Sequence, residues 1–201
     1  MTRKERELAQ RKEAILDSAQ YIFESEGYFN ATMAQIAGKA EFGVGTIYQF
    51  FPSKQALFAE VIIRGIEDFS WKLKNTVLSK NTWQDRMVSF VEYHLTWIEN
   101  NPGFHRLVYE IFYSPIPDIK SQILERFKDF HLETVKIMHT ICTQAQEHNE
   151  SLDPEFTSLM VLGMIHAIAD NWFLGILNKT PTEYIPGILH GILGGYHREN
   201  L

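Results

Sequence analysis

The side chains with the most specific chemistry in this sequence stand close together, at Thr46, Tyr48, Gln49 and Lys54. A carboxamide such as that of Gln49 donates and accepts at once and so matches the N6/N7 edge of adenine. A threonine methyl such as that of Thr46 can pack against the methyl of thymine. The hydroxyls of Thr32 and Tyr48 and the ammonium of Lys54 suit phosphate oxygens. Catalytic constellations are missing by contrast. Gly43-Val44-Gly45 opens like a dinucleotide loop, but Tyr48 stands where the third glycine belongs and no strand precedes it. There is no Gly-x-Ser-x-Gly, no P-loop and no Cys-x-x-Cys. His166 and Asp170, at i and i+4, could share a metal, but two ligands are too few to define a site. They read as a hydrogen-bonded polar pair in a pocket or interface. The single cysteine, Cys142, excludes a disulfide framework and reads as a small buried hydrophobe. No catalytic residue, metal site or cofactor is expected.

The elements that must position these side chains lie between Gly27 and Leu57. Gly27 follows a helical run, about Lys4 to Glu26, and can take the left-handed backbone that ends a helix. Ile15, Ala19, Ile22 and Phe23 give that helix one apolar face. Thr32 is a good N-cap, and Gln35 three residues on completes a capping box. Ile36, Ala37 and Ala40 stripe a short second helix. Glu41-Phe42-Gly43 is a tight turn in which Gly43 is expected to carry the positive φ, because Glu41 held left-handed would cost about 1–2 kcal/mol. A third helix, about Val44 to Phe50, turns Ile47 and Phe51 inward. Ser53 then caps a long fourth helix to about Lys74. Two short helices joined by a tight turn form a helix-turn-helix, whose second helix enters the major groove. Thr46, Val44 and Gln49 are the candidates for the groove, with Gly43 at its edge. Thr32, Tyr48 and Lys54 are the candidates for phosphates.

Thr32-x-x-x-Ile36-Ala37-x-x-Ala40, followed by Gly45-Thr46-Ile47-Tyr48-x-x-Phe51-x-Ser53-Lys54-x-x-Leu57, resembles the tetracycline-repressor (TetR) family over about Ile15 to Leu57. One departure stands out: the family's usual Gly-Val-Ser is replaced by Glu41-Phe42-Gly43. The resemblance implies a small-molecule inducer site in the remainder of the chain.

That remainder reads as helices throughout. Segments run from about Asn81 to Asn100, Gly103 to Tyr113, Asp118 to Gln146, Asp153 to Asn178 and Pro181 to His197, divided by Asn100-Asn101-Pro102-Gly103 and Ser114-Pro115-Ile116-Pro117. The expected fold is all-α: a three-helix helix-turn-helix domain, residues 1–52, joined by a long helix to a helical ligand-binding and dimerisation domain, residues 53–201. Net charge is −6, but residues 1–80 carry 11 Lys/Arg against 10 Asp/Glu and residues 81–201 carry 8 against 15, so the acid sits in the later part. Arg3-Lys4-x-Arg6 and Arg11-Lys12 form a basic arm that can follow phosphates or a minor groove.

Phe156 to Leu177 and Ile185 to Tyr196 are apolar enough to raise a membrane reading. Asp170 in mid-span and the shortness of the second stretch argue against it. Two helices buried against the core on one side and a second subunit on the other fit better, as a four-helix interface between protomers. The glycines Gly187, Gly191, Gly194 and Gly195 allow close backbones there. The absence of an N-terminal apolar run argues against a signal peptide and points to the cytoplasm. Trp97, Tyr109, Phe127, His131, His166, Asp170 and Trp172 are the candidate lining of an apolar ligand site with a few polar groups. The expected function is a dimeric, ligand-responsive regulator, not an enzyme. It would bind a double-stranded DNA operator as a repressor and be released by a small apolar or aromatic molecule. The alternative is a helical small-molecule-binding protein or enzyme without sequence-specific DNA binding.

Overall fold

The computed structural model describes residues 2–113, 117–148 and 153–194. Among them there are helices and no strand: α1 (Arg3–Asn30), α2 (Met33–Ala40), α3 (Val44–Phe50), α4 (Lys54–Leu78), α5 (Trp83–Asn100), α6 (Pro102–Tyr113), α7 (Pro117–Gln146), α8 (Pro154–Phe173), a 3-10 turn (Pro181–Tyr184) and α9 (Ile185–Leu193). The expected break at Ser114-Pro115-Ile116, Gly195 of the glycine run and the expected last-helix end at His197 lie outside the described residues. The chain divides into two compact units. One holds residues 1–66 and 103–127, the other residues 67–102 and 128–201.

The first unit is built on α1. Ile15, Leu16, Ala19 and Phe23 are buried at helical spacing, as are Ile36 and Ala37 of α2, Ile47 of α3 and Leu57, Phe58 and Ile62 of α4. Phe23 stands edge-on to Phe58 at 5.0 Å, and Tyr28 lies 4.7 Å from the same ring. The expected basic arm is not an extended tail: Thr2 caps α1 with Glu5 in a full capping box, so Arg3, Lys4 and Arg6 are already helical. Arg64 of α4 ties the helices together, donating to Glu13, Asp17 and Gln20 of α1 at 2.8 to 3.1 Å. Gly65 lets α6 come close, since a Cβ there would stand 2.1 Å from the Phe104 ring.

The second unit is a helical core made by the later half of α4, α5, the later part of α7, α8 and α9. Phe69, Leu73 and Val77 of α4 pack with Met87, Phe90, Val91 and Leu95 of α5, Met138, Ile141 and Cys142 of α7, and Val161, Leu162 and Ile165 of α8. Val91, Tyr93, Leu95 and Trp97, which alternate like a strand, are helical because the run is too long for a buried strand. Cys142 is fully buried, and burial raises its thiol pKa although Ser158 bonds it. α8 stops five residues before the expected Asn178. Gly175 takes φ 70°, with Gly175 N–H donating to Trp172 O and Ile176 N–H to Asn171 O, which closes the helix. Thr182 donates through its backbone and its hydroxyl to Glu99 and holds the 3-10 turn on α5. No helix among the described residues is long and apolar enough to cross a membrane.

Candidate nucleic-acid interface and ligand site

Thr32 caps α2 as its spacing implies. Its hydroxyl accepts from Gln35 N–H at 3.2 Å and lies 2.7 Å from Gln35 Oε1, which also accepts from Thr32 N–H. The turn that follows differs from the expected one. Glu41, not Gly43, is left-handed, at φ 58° and ψ 33°, and Gly43 is extended at φ −67°. The reason lies in the hydrogen bonds that end α2. Phe42 N–H donates to Ala37 O at 3.0 Å and Glu41 N–H to Gly38 O at 3.3 Å, a Schellman pair that demands positive φ at Glu41. These two bonds outweigh the propensity of the residue.

Gly43 becomes the N-cap of α3, with no side chain to close it. Val44, Gly45, Tyr48 and Gln49 share one exposed face of α3, opposite buried Ile47, whereas Thr46 is half-buried. Gly45 has open space where a Cβ would stand, so this face can approach another surface closely. The geometry thus brings Val44, Tyr48 and Gln49 together and sets Thr46 to one side of them.

Lys54 stands differently from its sequence reading. Its Nζ donates to Tyr28 O at 2.8 Å, Phe29 O at 3.3 Å and Ala31 O at 2.9 Å, and it lies 4.6 Å from the Tyr28 ring centroid. Burial lowers its pKa. An ammonium has three donors, and all three are engaged by the chain end of α1. Lys54 therefore holds the approach to α2, and a phosphate would have to compete with those carbonyls.

The ligand-site candidates fall in both compact units. Tyr109 and Phe127 belong to the first. Trp97, His131, His166, Asp170 and Trp172 belong to the second. Within the second, the His131 and His166 rings are 6.0 Å apart and both side chains are exposed, as is Asp170. Trp97 meets Phe69 edge-on at 4.7 Å. Around Phe69 the structure gathers Tyr93 at 5.4 Å and Phe130 at 5.5 Å, aromatic residues of the kind expected in an apolar site, and also His94 at 4.9 Å, which the sequence does not single out. His94 is the polar centre of this aromatic group. Burial, reinforced by the nearby His166 and opposed by the Phe90 carbonyl, pushes its pKa down to about 3, so the imidazole is neutral. Burial first, and then the charge of Asp68, push Tyr93 up to about 12. The helical positions of Phe69 and His94 were readable, but which stripe meets which is a matter of packing. Among the described residues no three His, Cys, Asp or Glu stand close enough to hold a metal.

A capped α2, a tight turn and an α3 with an exposed face of Val44, Tyr48 and Gln49 define a helix-turn-helix DNA-binding regulator. Residues 15–61 match the family model for bacterial regulatory proteins of the tetR family, over the stretch that carries the resemblance in the sequence. The chain is 22% identical over 178 residues to the HTH-type transcriptional activator FasR of Mycolicibacterium smegmatis, covering 87% of this chain and 76% of that protein. It is 21% identical over 192 residues to the fatty acid metabolism regulator protein of Bacillus subtilis, covering 92% and 95%. The crystal structure of the Bacillus subtilis transcriptional regulator FadR in complex with stearoyl-CoA superposes with a TM-score of 0.72 at 18% identity, covering 92% of this chain and 98% of that one.

Proposed function

We propose that the protein is a dimeric repressor that leaves its operator when an acyl-CoA binds. In this reading residues 1–52 read DNA in the cytoplasm, and residues 53–201 hold the ligand and the second protomer. Val44, Tyr48 and Gln49 face the groove, and Thr32 and the start of α3 lie along the phosphates. The observation that carries the ligand half is the aromatic group around Phe69, with Tyr93, Trp97 and Phe130 about it. It is a packed apolar cluster whose one polar centre is His94, and its side chains would give an acyl chain apolar contacts. That the similar FadR of Bacillus subtilis was crystallised with stearoyl-CoA supports the same class of ligand here.

The dimer half rests on exposed apolar surface. α8 presents Phe156, Leu159 and Met160 to solvent, and a Cβ at Gly163, Gly187 or Gly191 would meet nothing within 4 Å in the single chain. Exposed apolar surface of this kind marks an interface, and a two-fold pair brings two reading helices to half-sites about 34–36 Å apart or more.

The test uses a duplex enriched by the protein from a randomised library. Fluorescence anisotropy follows its release on addition of stearoyl-CoA, free stearate or coenzyme A. Release by the acyl-CoA alone supports the reading. Unchanged anisotropy with all three sinks the ligand class, and failure to enrich any duplex sinks the DNA half. A promoter fusion reports whether loss of the protein raises transcription, as a repressor requires.

A further inference from the structure

The chain leading into the reading head is broken at one place. Within α1, Gly27 adopts φ 78° and ψ 163°, a conformation open to glycine and strained for any other residue. In an unbroken helix Tyr28 N–H would donate to Glu24 O, four residues back. The break at Gly27 separates this donor and acceptor. Both are nevertheless satisfied, and both by α6. Tyr28 N–H donates to Glu110 Oε2 at 3.2 Å, and the Arg106 guanidinium donates to Glu24 O. Arg106 and Glu110 stand at i and i+4, with Nε and Oε1 4.0 Å apart. The missing rung of α1 is thus replaced by an arginine–glutamate pair inserted from another helix.

The surroundings fit this insertion. A Cβ at Gly103 would come within 2.9 Å of Glu24 Cβ, and one at Gly27 within 3.1 Å of Glu110 Oε1, so glycine at both positions lets α6 approach. From the other side Lys54 holds the carbonyls of Tyr28, Phe29 and Ala31. Ala31 leads directly into Thr32, the cap of α2. The angle at which the chain enters the helix-turn-helix is therefore set by groups outside it.

We propose that Arg106 and Glu110 are positioning residues for sequence-specific DNA binding, acting by completing the broken hydrogen bond of α1. They belong to α6 and make no base contact. Their loss frees the break and blurs the presentation of α3. Sequence-specific affinity falls, while attraction to phosphates in general is kept. A residue needed only for folding would lower both together.

The test compares two duplexes of equal length, one enriched by the parent protein from a randomised library and one scrambled. The readout is the ratio of the two affinities, with the folded fraction followed by circular dichroism at the same temperature. Glu110→Ala should lower the ratio about tenfold, the scale of one buried group left without a partner, with scrambled-duplex affinity kept. Glu110→Gln, which keeps an acceptor oxygen and folds where a harsher change fails, should stay within about threefold of the parent on the same scale. The pair exchanged, Arg106→Glu with Glu110→Arg, should not recover the ratio. It places a donor against the N–H and an acceptor against the C=O. An ordinary ion pair would tolerate the exchange, so recovery overturns the proposal. So does an unchanged ratio in Glu110→Ala, or a loss that only tracks the folded fraction.

Discussion

Glu41 shows how a hydrogen-bond pattern can override a side chain's preference. The two bonds that end α2 impose φ 58° on a residue with a Cβ. Glu41→Gly relieves about 1–2 kcal/mol of left-handed strain and adds about 0.5–1 kcal/mol of unfolded-state entropy, for a net gain of about 0.5–1 kcal/mol in chemical denaturation. A midpoint at or below the parent's would show that the turn is not strained. Lys54 makes a second test. With Nζ on three carbonyls, Lys54→Met should lower stability but leave the slope of log affinity against log salt unchanged. A slope smaller by about one would return Lys54 to the phosphates. His94 makes a third. Its folded pKa of about 3 lies below the unfolded value of 6.5, so between these the unfolded chain binds more protons. Stability is complete above that window and falls as the pH drops into it, by about 2 kcal/mol between pH 7.5 and pH 5. His94→Leu should flatten that part of the profile, and a parent with no such slope would contradict the buried neutral imidazole.

Among the described glycines, Gly65, where α4 meets α6, leaves the least room for a side chain. Gly65 lies under Phe104 with no room for a methyl group. Gly65→Ala should destabilise by about 1–3 kcal/mol, and Phe104→Leu in the same chain should recover part of the loss. Additive losses would mean that the two residues do not meet. This contact also marks how far the sequence could be read. Thr32 with Gln35 and Ser53 mark helix starts locally, and α2 and α4 begin there because a cap needs only neighbouring residues, whereas Gly27 breaks α1 short of its end at Asn30. Gly175 gives the same kind of signal for the end of α8, against the apolar run that continues beyond it. Lys54, Arg106 and Glu110 were not legible. Their partners lie between 23 and 82 residues away, and periodicity says only that a side chain is outward, not what it meets.

For the whole molecule the state of association decides affinity. If α8 and α9 form the two-fold interface, Gly191→Trp has room in the isolated protomer and none between protomers. Sedimentation should find the parent dimeric and the variant monomeric, with a similar unfolding midpoint at high dilution. DNA affinity should fall with it, since one half-site loses the effective concentration of the other. A parent that sediments as a monomer yet binds its duplex tightly would remove the interface. Cys142 offers a different view of the same unit. Fully buried and with a raised pKa, it presents almost no thiolate to a labelling reagent until the helices around it part. The chain has no other thiol, so the rate of alkylation is a clock for the opening of that one region. A ligand that binds only the closed form should slow the clock by the factor one plus its concentration over its Kd. Any candidate molecule can then be ranked by reaction time alone, without knowing the operator.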